Sequence, residues 1–374
     1  MATKSTQTNG AKSASGKKMT AKQREARKRR KIIIFSFEIV ILLAMVFLLY
    51  SVFKKDTKVV DIAEIDEGEL EIDEVVAENP VMKGYWNIAL FGVDATTDAG
   101  IYKGSLSDSI MIASINQDTG EIKLVSVYRD TYLNLGDDTY NKANTAYSRG
   151  GAEQAIRMLN SNLDMNITDF VTVGYRALSE VIDGLGGVWI DVDEVELKHI
   201  NNYQYSIATD ALKCSYTEVT KSGYQLLNGL QATAYCRIRY TAGDDFKRAA
   251  RQREVLQAIE DQAKQADLGT LTKLYNKVAE YVFTSIDSKD IISLLGNIAN
   301  YEIVDEGGFP EEHMRGTGNI GSKGSCVIPL DLESNVLWLH EFLFGEDEHY
   351  TEVSKKVKEF NAIIESDTAP YLQK

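Results

Sequence analysis

The sequence predicts a mixed α/β fold: a central sheet of parallel and antiparallel strands sandwiched by α-helices, preceded by one transmembrane helix. Three observations carry this expectation. Short apolar runs of strand length alternate with longer segments of helical periodicity, the pattern of a layered α/β domain. One pair of runs, 109–115 (SIMIASI) and 122–128 (IKLVSVY), is joined by the turn sequence NQDTGE and reads as an antiparallel hairpin, which makes the sheet mixed. Residues 32–53 (IIIFSFEIVILLAMVFLLYSVF) form an apolar bar of about 33 Å at the helical rise, enough for a hydrocarbon core of about 30 Å.

Charge divides the chain of 374 residues into three environments. Residues 1–31 carry 11 Lys/Arg against a single acid, Glu25, whereas the whole chain has a net charge of −14. The part beyond the apolar bar is therefore strongly acidic. This argues against nucleic acid as a partner. The Lys/Arg bias places the basic head in the cytoplasm and the body outside, because ten fall in 12–31 and three (Lys54, Lys55, Lys58) in 54–73. The apolar run exceeds a signal-peptide core and no small-residue cleavage site follows it, so it reads as an uncleaved signal anchor. The expected layout is a cytoplasmic tail (1–31), the signal anchor (32–53), an acidic extracellular connector (54–83), the main folded domain (84–345) and a C-terminal tail (346–374). Cys214, Cys236 and Cys326 are an odd set with no metal-binding spacing.

The elements follow in order. The connector is largely a spacer, its stretch ELEIDEVV alternating enough for an edge strand. Residues 87–93 (NIALFGV) form a strand stopped by Asp94. The hairpin follows, then a helix at 150–163, a strand at 170–175, a helix at 177–184 and a strand at 188–192. Residues 224–230 read as a short helix and 233–239 as a strand. Helices are expected at 245–266, 271–283, 291–298 and 332–344, with a short strand at 327–329. From Gly345 the acidic tail is expected to fray.

Three constellations carry chemistry. Asp94 (FGVD) and Asp108 (SDSIM) stand at strand ends, where open α/β sheets bind ligands. Two carboxylates supply hard oxygen ligands suited to Mg²⁺, although Asp at strand ends is also an ordinary turn residue. Arg237 and Arg239 (YCRIRY) alternate and so share a face if the segment is a strand. In DDFKRAARQRE, Asp245, Arg248 and Gln252 share one helix face, with Arg251 to one side. Guanidinium forks match phosphate oxygens two at a time, so the combination reads as an anion cradle. Arg129 (VYRD) adds a cation at a strand end. The inventory suits a pyrophosphate held by Mg²⁺ and arginines, since phosphoryl transfer needs mainly positioning and charge neutralisation.

The ordered run NIALFGVD, SDSIM, SVYRD, KANTAYSRGG, VIDGLGGVWIDV, LNGLQATAYCRIRY and DDFKRAARQRE resembles the LytR-CpsA-Psr family of bacterial wall enzymes over roughly residues 85–267. The resemblance implies an α-β-α fold and a membrane-anchored extracellular phosphotransferase. Such an enzyme moves an anionic glycopolymer (teichoic acid, capsule or a related wall polymer) from a polyprenyl-pyrophosphate carrier to a peptidoglycan hydroxyl, with Mg²⁺. It implies Asp94, Arg129 and Arg237 as catalytic residues and Asp94 and Asp108 as metal ligands. Arg129, Arg237, Arg239, Arg248 and Gln252 would bind pyrophosphate, and Asp94 would be the base. The polyprenyl tail would lie in an apolar tunnel between sheet and helices. The chain departs from the family pattern at Leu106, where R-S-D is usual and LSD stands here; Lys103 is a candidate substitute. The same pocket would also serve a pyrophosphatase or a polyprenyl-phosphate receptor. A membrane-bound transcriptional regulator would rest on the basic head, which lacks a helix-turn-helix pattern.

Overall fold

The computed structural model describes residues 61–95, 98–239 and 244–372. The basic head and the predicted anchor at 32–53 lie outside them. Among the described residues no helix is long and apolar enough to cross a membrane. In chain order the strands are β1 (Asp61–Ile62), β2 (Tyr85–Val93), β3 (Ser107–Asn116), β4 (Glu121–Val127), β5 (Tyr132–Asn134), β6 (Tyr140–Lys142), β7 (Asp169–Val173), β8 (Val188–Val192), β9 (Gly223–Leu227), β10 (Val282–Thr284), β11 (Glu302–Phe309), β12 (Arg315–Asn319) and β13 (Ser325–Pro329). The longer helices are α1 (Asn144–Leu163), α2 (Tyr175–Gly184), α3 (Leu197–Ser206), α4 (Gly229–Tyr235), α5 (Asp244–Gln265), α6 (Leu268–Val278), α7 (Ser288–Gly296), α8 (Leu332–Phe344) and α9 (Lys355–Thr368).

The central sheet runs β1-β10-β7-β2-β3-β4-β11. It is mixed: β2 and β7 pair in parallel, as do β4 and β11, while β2-β3-β4 form an antiparallel meander. Strand periodicity assigns the two faces. On one face Ala89 pairs with Ile112 and Phe91 with Ile110, and these join Val125 in the main core, with Tyr147 and Ile156 of α1, Leu339 of α8 and Ile364 of α9. On the other face Leu90 stands between Met111 and Val171, and Gly92 between Ser109 and Val173. A Cβ on Gly92 would lie 3.0 Å from the Ser109 Cβ, so this rung stays low and leaves space above it. A second core, with Ile182, Ile190, Ile200, Leu227 and Val255, binds α2, α3, α4, α5 and the β8–β9 ribbon into one unit.

The predicted sandwich is present, with several corrections. Residues 224–230 are not a helix and 233–239 are not a strand: β9 ends at Leu227, and α4 occupies 229–235. A reciprocal cap decides this. The Asn228 side chain accepts from the Gln231 N–H, and the Gln231 side chain accepts from the Asn228 N–H. Helix α1 starts six residues before the expected 150 and bends at Gly150–Gly151; Gly151 has φ +70°, and a Cβ there would meet the Tyr102 carbonyl at 2.5 Å. The acidic, glycine-containing β11 and the short β10 carry weak strand signals, and neither was expected. From Asp61 on, the connector is part of the body: Leu70, Val76 and Met82 are buried, and the ELEIDEVV stretch ends in a helical turn (Glu74–Ala77) instead of a strand. The C-terminal tail does not fray. Val357, Phe360 and Ile364 of α9 belong to the main core. Cys214, Cys236 and Cys326 are unpaired.

Candidate active site

Between the sheet face carrying Leu90 and the helices α2, α4 and α5 lies a cavity of about 470 Å³. That is the size range of small-ligand sites. Its two ends differ in chemistry. The apolar part is lined by Leu90, Met111, Val171, Leu178, Val255 and Leu256, with Leu90, Met111 and Val171 on one rung of the sheet. The charged part, beside the strand ends that carry Asp94, Asp108 and Arg129, also has Arg237, Arg239, Arg248 and Gln252 in its lining. Every sequence-predicted site residue therefore lines one cavity.

Different elements deliver them. Asp94 follows β2, its N–H donating to the Leu106 carbonyl at 3.2 Å, and Asp108 stands near the start of β3. Arg129 follows β4. Arg237 and Arg239 do not share a strand face, because they lie in the turn and extended segment after α4. Arg248, Gln252, Val255 and Leu256 form one stripe of α5, so a single helix face spans both ends of the cavity. Arg251 points elsewhere and forms a buried ion pair with Glu196 at 2.7 Å. Leu106 is 43% exposed and lines the cavity, while Lys103 is not among the lining residues, so the structure does not put it in the role of the missing cation.

The charges are organised around Asp245. Its Oδ1 lies 3.0 Å from Arg239 Nε, 3.2 Å from Arg248 and 4.0 Å from Arg129 Nε. Burial pushes this carboxyl up, but Arg248, a hydrogen bond with Asp130, Arg129 and Arg239 outweigh it and hold it below the usual range. Burial and the same hydrogen bond push Asp130 up, against the pull of Arg129 and Lys142. Arg129 donates to Asp108 Oδ1 at 2.5 Å. Burial tends to lower Arg129, yet Asp108, Asp130 and Asp245 together raise it, so its charge is secured. Burial and the facing Arg129 lower Arg248. Arg129 Nε and Arg248 Nε are buried with no hydrogen-bond partner. Such orphaned donors are costly unless a ligand accepts from them. An excess of arginine with unspent donors is the electrostatic complement of an anion.

The sequence reading missed two aromatic residues. Tyr175, the first residue of α2, donates from its hydroxyl to Asp94 Oδ1 at 2.6 Å. The Arg237 guanidinium stacks over Tyr175 at 4.8 Å and Tyr203 at 5.2 Å. Tyr175 comes just after β7, at the same sheet end as Asp94, and that position was the available signal. Cys236 also lines the cavity, and burial pushes its thiol up to about 12. It is therefore protonated and acts as apolar wall, not as a nucleophile.

Two carboxylates are the oxygen donors present for a divalent cation, and Asp108 also accepts from Arg129. Among the described residues no group of three or more His, Cys, Asp or Glu side chains converges. Asp94 and Asp108 do face the same end of the cavity, and Mg²⁺ is commonly held by one or two carboxylates with the rest of its shell from water and substrate phosphate.

A family model for LytR_cpsA_psr matches residues 49–327, three quarters of the chain. The chain belongs to the LytR_cpsA_psr family. Among curated relatives, Biofilm regulatory protein A of Streptococcus mutans is 28% identical over 241 residues, covering 59% of this chain and 57% of that protein. The polyisoprenyl-teichoic acid–peptidoglycan teichoic acid transferase TagV of Bacillus subtilis is 30% identical over 206 residues, covering 54% of this chain and 50% of that one. This chain thus spans about half the length of these two relatives. Against TagU of Bacillus subtilis the identity is 28%, over 67% of this chain and 75% of that one. Solved LytR_cpsA_psr structures share the fold. TagT bound to LIIa-WTA superposes with a TM-score of 0.58 at 22% identity, over 76% of this chain and 99% of that one. The family protein YwtF (TagT) with bound octaprenyl pyrophosphate lipid gives 0.54 at 21% identity, over 76% and 99%.

Proposed function

We propose that this chain is a membrane-anchored extracellular phosphotransferase of the bacterial cell envelope. It moves a glycopolymer, of the teichoic acid or capsule type, from a polyprenyl-pyrophosphate carrier to a hydroxyl of peptidoglycan. The observation that carries this reading is the two-chemistry cavity: an apolar end suited to a prenyl chain, continuous with an arginine-rich end suited to pyrophosphate. Relatives named as polyisoprenyl-teichoic acid–peptidoglycan transferases, and a fold neighbour solved with octaprenyl pyrophosphate, support it. The basic head followed by an apolar run at 32–53 supports a single-pass anchor with the N-terminus in the cytoplasm.

In this mechanism Arg129, Arg237, Arg239 and Arg248 neutralise charge on the phosphate being transferred and on the departing polyprenyl phosphate. Gln252 adds an amide donor at the same end. The acceptor hydroxyl oxygen bonds to the sugar-linked phosphorus, the bond from that phosphorus to the bridging oxygen breaks, and polyprenyl phosphate leaves. Asp94 takes the hydroxyl proton. Tyr175, which donates to Asp94, holds the carboxylate in place for this step. Asp94 and Asp108 are the residues that would hold Mg²⁺, which supplies further neutralisation of phosphate charge when bound.

The deciding measurement is transfer of a labelled polyprenyl-pyrophosphate-linked glycan onto peptidoglycan oligomers by the full chain, with and without Mg²⁺, beside Asp94→Ala. Metal-dependent product that the substitution removes is the expected result. Release of the glycan phosphate to water alone would make the protein a pyrophosphatase, and binding without turnover would make it a receptor.

A further inference from the structure

Two charged groups beside the site have no role in the mechanism above. Asp130 directly follows Arg129, and Lys142 belongs to the KANTAYSRGG motif, which the functional reading otherwise leaves unused. Neither lines the cavity. Backbone bonds nevertheless join their two segments. Ala143 N–H donates to the Thr131 carbonyl at 2.8 Å, and Asn144 N–H donates to the Arg129 carbonyl at 3.0 Å. Val327 N–H donates to the Asp130 carbonyl at 2.9 Å from the other side. The chain that carries Arg129 is therefore clamped between the turn at 142–144 and β13.

The side chains continue this arrangement. Lys142 Nζ lies 3.4 Å from Asp130 Oδ1, and that same oxygen lies 3.8 Å from Arg129 Nε. The second distance is an ion pair but too long for a hydrogen bond, and Arg129 Nε has no partner. Both side chains of the Arg129–Asp130 pair are only 13% exposed, so the attraction is weakly screened.

We propose that Lys142 and Asp130 form a positioning pair for Arg129. Lys142, together with the Asp130–Asp245 hydrogen bond, holds the Asp130 carboxyl back from direct bonding to Arg129 Nε, so Arg129 keeps its bond to Asp108 and its place in the cavity lining. If the lysine charge is removed, Asp130 closes on Nε and draws the guanidinium away from Asp108 and out of line with the cavity. If Asp130 is neutralised, Arg129 swings toward Asp245, which already serves Arg239 and Arg248. The proposal rests on reading the cavity as a pyrophosphate site.

The test uses the full chain and two readouts: calorimetric binding of inorganic pyrophosphate, and the kcat and KM of transfer. Lys142→Met should weaken pyrophosphate binding by about 10-fold and lower kcat, while Lys142→Arg keeps both near wild type. Combining Lys142→Met with Asp130→Asn should cost no more than the worse single change, because both act through Arg129. Thermal unfolding of each variant checks that the fold is intact. Unchanged pyrophosphate affinity and kcat in Lys142→Met would overturn the proposal, and so would strictly additive losses in the double variant. A wild-type chain that binds pyrophosphate but transfers nothing would remove the transferase reading alone, and the binding measurements would still judge the pair. A wild-type chain that does not bind pyrophosphate would remove both.

Discussion

The Arg237 guanidinium carbon lies 4.8 Å from the ring centre of Tyr175 and 5.2 Å from that of Tyr203, and the Tyr175 hydroxyl donates to Asp94. One tyrosine thus contacts both a proposed phosphate-binding cation and the proposed base. Tyr175→Phe keeps the ring under Arg237 and removes only the hydroxyl. A hydrogen bond to a charged group contributes about 1.5–3 kcal/mol, so kcat should fall by about 10- to 100-fold with pyrophosphate affinity nearly unchanged. Arg237→Ala should abolish transfer while leaving the unfolding temperature within a few degrees of wild type. Arg237→Lys should not restore it, because an ammonium has neither the planar face that packs on aromatic rings nor a fork of donors. Normal turnover by Arg237→Ala would remove this residue from the mechanism. At this scale the sequence was readable where residue chemistry is specific. Asp94, Asp108, Arg129, Arg237, Arg239, Arg248 and Gln252 all meet at one cavity end. It was not readable for Tyr175 and Tyr203, because an aromatic residue in a helix is ordinarily core, and only the fold brings one cation near both rings.

At the scale of elements, α5 links the two halves of the cavity. Arg248 and Gln252 face the charged end, and Val255 and Leu256 face the apolar end on the same stripe. Leu256→Trp should therefore block binding of a polyprenyl pyrophosphate while leaving inorganic pyrophosphate affinity within about twofold, since bulk added to a packed apolar site acts locally. Equal loss of both ligands would mean that the two ends do not form separate subsites. The misreading around 224–239 belongs to this scale too. The alternation in YCRIRY looks like a strand, but the Asn228/Gln231 cap, a local signal present in the sequence, specifies a helix start just before it. Helix α9 is a failure of another kind. Its 14 residues follow an acidic stretch that resembles a fraying tail, and only the docking of Val357, Phe360 and Ile364 makes it part of the body. Ile364→Ala should destabilise the chain by about 2–5 kcal/mol in a denaturant titration. A change below about 0.5 kcal/mol, as for an exposed tail, would contradict its place in the core.

At the scale of the whole molecule, one titration couples stability to pH. His340 of α8 is buried, its Nε2–H donates to the Leu163 carbonyl at 2.9 Å, and its ring stacks on Tyr350 at 3.8 Å. Burial lowers it to about 4, although Leu163, Asp164 and Asp347 pull the other way. The unfolded chain takes up this proton near pH 6.5 and the folded chain only near pH 4. Stability from the neutral ring is therefore fully present above about 6.5 and declines as pH falls toward 4. In His340→Gln the unfolding temperature should depend less steeply on pH between 6.5 and 4 than in wild type. Parallel curves would show that this ring does not titrate differently on folding.

The sequence by itself determined the alternation of strands and helices, the hairpin of β3 and β4, the length and charge asymmetry of the N-terminal apolar bar, and the identity of the charged groups. These are local properties: periodicity, turn chemistry and side-chain type are written in neighbouring residues. Only the tertiary structure decided which helices cover the second face of the sheet, that the Gly92 rung leaves a cavity there, and that Asp245 gathers three arginines from three segments. It also decided that β10, β11 and α9 complete the body. Those outcomes depend on pairings across long sequence separations, where strand partner, register and burial are fixed by whichever surfaces can cover one another, and a window of consecutive residues does not contain that information.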